Sequence, residues 1–260
     1  MPDTVHVGIP TAPYAEEVRR QMLPEGPAVV TDLPALVARR LRQRELAAAL
    51  LSPTDYARDS SAYRVLPGAA VSAAGPSGPV RLHFRSGLRT ITRLAVDPSS
   101  SAEIILARIL LAEEFESLPV IVPHSGPLEA MLQEADAALV VGGGPAPTKA
   151  GLSSHSLDLV EAWQELTDLP YVYGLWCGYE RELSEVDARR IQDAHHRAQA
   201  EADRLRAESP GHPVTAYHFS GQARVEESVR ELLHYVYYHG ILPDVPELEY
   251  YVFGAAGRSV

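Results

Sequence analysis

The sequence predicts an α/β protein of two lobes with a cleft between them, and three observations carry that expectation. Short apolar runs of strand character alternate with helical patterns from the start of the chain, the mark of a mainly parallel sheet with helices on its faces. The alternation falls into two series separated by the extended stretch LHFRSGLRTITR, which is broken at Ser86-Gly87. A second extended stretch, LPYVYGLWCGY at 169–179, offers a return crossing, and two crossings make a hinge that opens a cleft. The 260 residues, 46% of them hydrophobic, suffice for two cores.

In order along the chain, Thr4–Ile9, Ala28–Thr31, Leu46–Ser52 and Val80–Phe84 read as strands. Between them, Leu33–Arg42 reads as a helix with Asp32 as N-cap and Leu33, Leu36, Val37 and Leu41 as its apolar stripe. The small-residue stretch Ala69–Pro79 reads as a strand and turn. The second series runs through a strand at Arg93–Asp97, a helix at Ala102–Glu114 and strands at Pro119–Pro123 and Ala137–Val141. These elements assign 1–88 plus 171–260 to a first, discontinuous lobe and 89–170 to a second. The last third is helical: Glu185–Glu208 starts at Ser184 with Asp187 three residues on, and Ser209-Pro210-Gly211 ends it. A further helix, Ala223–His239, spaces Val225, Val229, Leu232, Leu233 and Val236 along one face and stops at Gly240. Both are expected to pack on the first lobe; an exposed apolar patch on the second would instead mark an interaction module.

Composition excludes several functions. A net charge of −11 disfavours nucleic acid and anionic membranes as partners. No apolar run approaches the ~20 residues of a membrane span, and the start MPDTVHVGIPTAPYAEEV has neither a basic nor an apolar leader region, so a cytoplasmic location is expected. Cys177 is the single cysteine, which rules out an intrachain disulfide and a multi-cysteine metal site. His195 and His196 are adjacent rather than three or four apart, which suits solvated helix-surface histidines and not a metal pair. No metal or cofactor is expected. The basic residues are arginines apart from Lys149.

Four strand ends carry groups with chemical potential. Asp97-Pro98-Ser99-Ser100-Ser101 joins a strand to a helix, where hydroxyls, free N–H groups and the helix dipole favour a carboxylate or phosphate; the alternative is one capping serine beside solvated ones. Val141-Gly142-Gly143-Gly144-Pro145 follows a strand and lets backbone approach a ligand, or simply turns; it has neither a dinucleotide fingerprint nor a P-loop lysine. Gly8-Ile9-Pro10-Thr11-Ala12-Pro13-Tyr14 and Leu51-Ser52-Pro53-Thr54-Asp55-Tyr56 offer hydroxyls at two further strand ends, or are ordinary strand-to-helix turns. There is no Gly-x-Ser-x-Gly elbow and no distinguishable carboxylate pair. Tyr171, Tyr173 and Trp176 read as core and hinge residues.

Several segments together resemble the menaquinone biosynthesis family that contains chorismate dehydratase and a sister enzyme cleaving cyclic dehypoxanthinyl futalosine. They are Arg44-Glu45-Leu46, the run Ser52 to Arg58 (SPTDYAR), the run Tyr63 to Gly68 (YRVLPG), Val80–Phe84, Val96 to Ser100 (VDPSS), Asp136 to Gly142 (DAALVVG), Asp158-Leu159, Trp163, Thr167, Leu169-Pro170 and Leu175-Trp176. They keep the family's order and nearly its spacing over roughly residues 4 to 180. The resemblance implies a type II periplasmic-binding-protein-like fold with the ligand between two α/β lobes. It also implies removal of water from chorismate to give 3-[(1-carboxyvinyl)oxy]benzoate, the opening step of the futalosine route, on a cofactor-free site.

On the expectation of a divergent dehydratase, Ser99 and Ser100, which match the family, and Ser101, which departs from it, hold a substrate carboxylate. Thr11 and Ser77 become the contacts of the reacting hydroxyl, and Ser52, Thr54, Tyr56, Gly142 and Gly143 become further lining. Arg81 and Arg85 are candidate sources of positive charge. The chain departs from the family at Pro10, where asparagine is usual, and at Pro79, where serine is. It departs again at Ser101 for arginine, Ala102 for threonine and Gly143 for aspartate. The sister branch places a histidine base at about Gly142, and glycine transfers no proton. The competing expectation is a binding protein of the same fold that closes on a small organic anion without turning it over.

Overall fold

A computed structural model describes residues 5–24, 26–75, 78–87, 90–142, 153–209, 211–221 and 223–252. In chain order the elements are β1 (His6–Pro10), α1 (Glu16–Gln21), β2 (Ala28–Asp32), α2 (Pro34–Arg42), β3 (Ala48–Leu51), α3 (Pro53–Ala57), β4 (Arg64–Ala73), β5 (Val80–Arg85), β6 (Arg93–Val96) and α4 (Ser101–Phe115). They continue with β7 (Val120–Pro123), α5 (Leu128–Glu134), β8 (Ala137–Val141), β9 (Ser153–Asp158), α6 (Leu159–Thr167), β10 (Tyr171–Gly178), α7 (Glu185–Glu208) and α8 (Ala223–Tyr238). The chain divides into two compact units, Met1–Ala73 with Val172–Val260, and Ala74–Tyr171. The first crossing thus comes earlier than 88, because β5 pairs with β8 and β9 of the second unit.

The sheet of the first unit has the order β2-β1-β3-β10-β4. β1 runs parallel to β2 and β3, and β10 lies antiparallel to β3 with Leu175 opposite Leu51. The sheet is therefore mixed rather than mainly parallel, since the returning strand enters it from the other end. α2 packs Val37, Ala38 and Leu41 against it. A Cβ on Gly8 would come within 2.7 Å of both Leu46 and Val37, so the helix sits directly on a strand with no side chain between. The expected Asp32 cap is corrected: β2 continues to Asp32, opposite Pro10, and Pro34 in the first turn fixes the helix start with Leu33 as N-cap, 47% exposed and outside the stripe.

α7 begins as expected, with Ser184 accepting from the Asp187 N–H. Its buried face includes His195, which corrects the expectation of a solvated histidine. The Trp176 indole N–H donates to His195 Nε2 at 2.7 Å, and Nδ1 lies 3.1 Å from the Phe219 carbonyl. Burial pushes the imidazole down to about 4 and keeps it neutral. On α8, Val225, Val229, Leu232, Leu233 and Val236 are all buried, so its apolar stripe is a packing face. The outer edge of β4 is occupied: Val65 pairs with the segment around Tyr250, Ser72 with His218, and the Gln192 side chain donates to the Pro67 carbonyl.

The second unit has the order β7-β6-β8-β5-β9, with β6 parallel to β7 and β8 and β5 antiparallel to β8 and β9. α4 buries Ile105, Leu106, Ile109, Leu110 and Leu111 and ends where Glu116 turns left-handed. α5 and the pair β9–α6 were not anticipated. α5 is short, and β9 reads SSHSLD, too polar for an apolar-run search.

Candidate functional site

In the first unit, β1 and β3 lie side by side and parallel, so the residues after their carboxyl ends emerge at one edge of the sheet. Thr11 is there, exposed, its backbone N–H donating to the Asp32 carbonyl at 2.7 Å. Pro10 is held inside β1 opposite Asp32 and presents neither hydroxyl nor N–H. Ser52 caps α3: its hydroxyl oxygen accepts from the Asp55 N–H at 3.1 Å, its O–H donates to Asp55 Oδ2 at 2.8 Å, and Thr54 Oγ1 lies 3.1 Å away. All three residues are buried, so these hydroxyls satisfy one another. Tyr56 leaves the set of ligand contacts altogether. It is fully buried in the core, its hydroxyl donating to the Glu247 carbonyl at 2.8 Å and accepting from the Glu249 N–H at 3.3 Å.

In the second unit the parallel strands β6, β7 and β8 bring Asp97–Ser101, His124-Ser125 and Gly142 to one edge. Asp97 Oδ1 accepts from the Ser99 N–H at 2.9 Å and the Ser99 hydroxyl at 2.7 Å. The Ser99 backbone and side-chain donors, with the Ser125 hydroxyl, hold the Asp97 carboxyl below its ordinary range. Ser99 is thereby committed to the protein's own carboxylate. Ser100 is the N-cap of α4 but makes no side-chain cap bond, and Ser101 is the first helical residue. The Ser100 hydroxyl and the leading N–H groups of a long helix remain as a donor set suited to an anion. Gly142 takes φ +98° and donates its N–H to the Pro79 carbonyl at 2.8 Å; a Cβ would meet nothing within 4 Å, so backbone conformation, not close approach, demands glycine. Ser77 and Gly143 lie outside the described residues.

Both candidate arginines are committed. Arg81 pairs with Asp158 at 3.6 Å and donates to Ser156 Oγ at 2.9 Å, while Arg85 donates to Asp136 Oδ1 at 2.6 Å. Burial alone would raise Asp136, but bonds from the Thr92 hydroxyl and the Thr92 and Arg93 N–H groups outweigh it, and the carboxyl lies low. Asp158 was missed as a structural residue. It caps α6 through the Val160 and Glu161 N–H groups and accepts from the Gly78 N–H at 2.8 Å. Glu161 three residues on was the available signal. Among the described residues no group of three or more His, Cys, Asp or Glu is placed to hold a metal ion, and no helix is long and apolar enough to cross a membrane.

A family model described as menaquinone biosynthesis matches residues 14–236. A chorismate dehydratase from Thermus thermophilus is 26% identical over 239 residues, covering 82% of this chain and 86% of the relative. Among solved structures, a protein from Archaeoglobus fulgidus superposes with a TM-score of 0.67 at 21% identity, covering 92% of this chain and 98% of that one. An alkanesulfonate-binding protein from Xanthomonas axonopodis pv. citri, solved with MOPS, gives a TM-score of 0.58 at 14% identity, covering 95% and 96%. With the two mixed sheets above, these likenesses establish a periplasmic-binding-protein-like fold of two α/β lobes.

Proposed function

The chain belongs to the menaquinone biosynthesis family, and from that premise we propose that it is a cytoplasmic chorismate dehydratase, a hydro-lyase opening the futalosine route. The observation that carries this reading is the family match across residues 14–236, which spans both units. The reaction removes a ring proton and the neighbouring hydroxyl from chorismate and yields the aromatic ring of 3-[(1-carboxyvinyl)oxy]benzoate. Aromatisation drives it, so the protein has to position the dianion, assist proton transfer and stabilise the departing oxygen. Ser100 and Ser101, at the start of α4, take a substrate carboxylate, with Ser99 steadying the loop through Asp97. Thr11 and Ser77 serve the reacting hydroxyl. Ser52, Thr54 and Gly142 shape their loops.

A second reading is favoured by Pro10, which is locked in the β1 ladder where a side-chain donor would serve catalysis. On that reading the chain binds a small organic anion and releases it unchanged. Incubation of the purified protein with chorismate, following the benzoate product by liquid chromatography, separates the two. Product above the uncatalysed blank is the expected result. Absence of product, with chorismate still raising the melting temperature, would replace the dehydratase with the binding protein.

A further inference from the structure

We infer that the first unit holds a second ligand site, a cavity between β4 and the start of α8 that takes an uncharged single-ring molecule bearing one hydroxyl, a phenol in chemical class. The outer edge of β4 is bridged at Val65, by the segment around Tyr250, and at Ser72, by His218. Along β4 from the first bridge towards the second lies a cavity of about 140 Å³. Its walls are β4 from Val65 to Ala70, the first two turns of α8, Leu175 and the segment carrying Leu248 and Tyr250. Val65, Leu66, Pro67 and Gly68 belong to the run YRVLPG, which the candidate site does not use.

Two glycines shape one end. Gly68 takes φ +77°, and a Cβ there would meet nothing within 4 Å. Gly221, just before α8, lies so close to it that a Cβ would come within 2.9 Å of the Gly68 nitrogen. Backbone therefore closes on backbone at that end, while the side-chain direction of Gly68 stays empty.

The walls select the occupant. Val65, Leu66, Leu175, Val225, Val229 and Leu248 are all buried and make the cavity apolar on most sides. An apolar cavity of about 150 Å³ takes up benzene, so one ring fits here and chorismate, a larger dianion, does not. One polar pair also lines the space: the Tyr250 hydroxyl donates to the Glu226 carboxylate, which accepts from Arg230 one turn further on. Arg230 balances the carboxylate charge, so no cation is required, and an anion would be repelled. Glu226 keeps acceptor capacity for one further O–H.

Phenol is the probe, followed through the backbone amide signals of the protein. Saturable shifts are expected at residues 65–70 and 225–229, with a dissociation constant of about 1 mM or tighter. Benzene should bind roughly threefold more weakly for want of the hydroxyl, and Glu226→Met should remove that preference while benzene still binds. Val229→Phe, which fills the cavity, should weaken phenol about tenfold or more. An absence of shifts at about 20 mM phenol overturns the inference, because a site of the expected affinity would be saturated. So do shifts that persist unchanged in Val229→Phe, or benzene bound as tightly as phenol by the wild type. Should Val229→Phe lose cooperative unfolding, Val225→Leu, larger by one methylene, carries the same test with a smaller loss of affinity.

Discussion

The two units put the same residue types at their strand ends and use them differently. In the first, Ser52, Thr54 and Asp55 close on one another below the surface, and the capping carboxylate follows its serine by three residues. In the second, the carboxylate comes first: Asp97 draws in Ser99 and leaves Ser100 at the helix start without a side-chain cap bond. The position of one acid relative to the serines thus separates a structural cap from a donor set that can receive an anion. The sheet edges differ in the same sense. β4 is covered by other parts of its unit, whereas β7 is the outermost strand of its sheet and pairs on one side with β6.

If the first unit turns its polar groups inward, its interior will be the most sensitive place to disturb them. His195→Leu removes the acceptor of the Trp176 N–H and repacks a fully buried site, and is expected to cost about 3 kcal/mol in denaturant unfolding. The wild type carries a matching pH signature. The imidazole pKa is depressed from 6.5 to about 4 in the folded state, so the unfolded chain binds the proton more readily between those values. Stability is fully present above pH 6.5 and falls towards pH 4, by roughly 3 kcal/mol at most. That part of the loss should vanish in His195→Leu. A variant whose stability falls with acid as steeply as the wild type's would show that His195 is not the inward-held group described here.

The second unit has its own internal clasp, Asp158, and breaking it sharpens the contrast with α4. Asp158→Ala removes the α6 cap, the bond from the Gly78 N–H and the partner of Arg81. A loss of about 2 to 3 kcal/mol is expected, with amide exchange accelerated in β5 and α6 rather than in β1 or α2. Uniform acceleration across both units would mean that they do not unfold as separate compact bodies.

Much of this was legible in the residues, and the misses have physical reasons. The strands β1, β2, β5 and β8 and the helices α4, α7 and α8 appear in sequence because apolar period and capping agree there. β9 does not, because a strand at the edge of its sheet tolerates the polar run SSHSLD. Adjacency puts His195 and His196 on different faces of α7, but only tertiary packing makes one of those faces the core. The same limit applies at the candidate site. Hydroxyl residues after strands can be read from sequence, whereas their commitment to Asp55, Asp97 or Glu247 depends on side-chain directions that no spacing rule supplies.

The smallest expected effect is the most direct test of the comparison. Ser52→Ala should lower stability by about 1 kcal/mol, the worth of a capping serine, and leave chorismate affinity unchanged. Ser100→Ala should do the opposite, costing a few tenths of a kcal/mol in stability because no side-chain cap bond is lost, while weakening chorismate binding several-fold in titration calorimetry. Ser100→Asp should weaken it further, about tenfold, because it sets a second negative charge beside Asp97 at the proposed carboxylate site. Equal affinities for the wild type and Ser100→Asp would remove the start of α4 from the site, and would leave the serines of both units as parts of the scaffold alone.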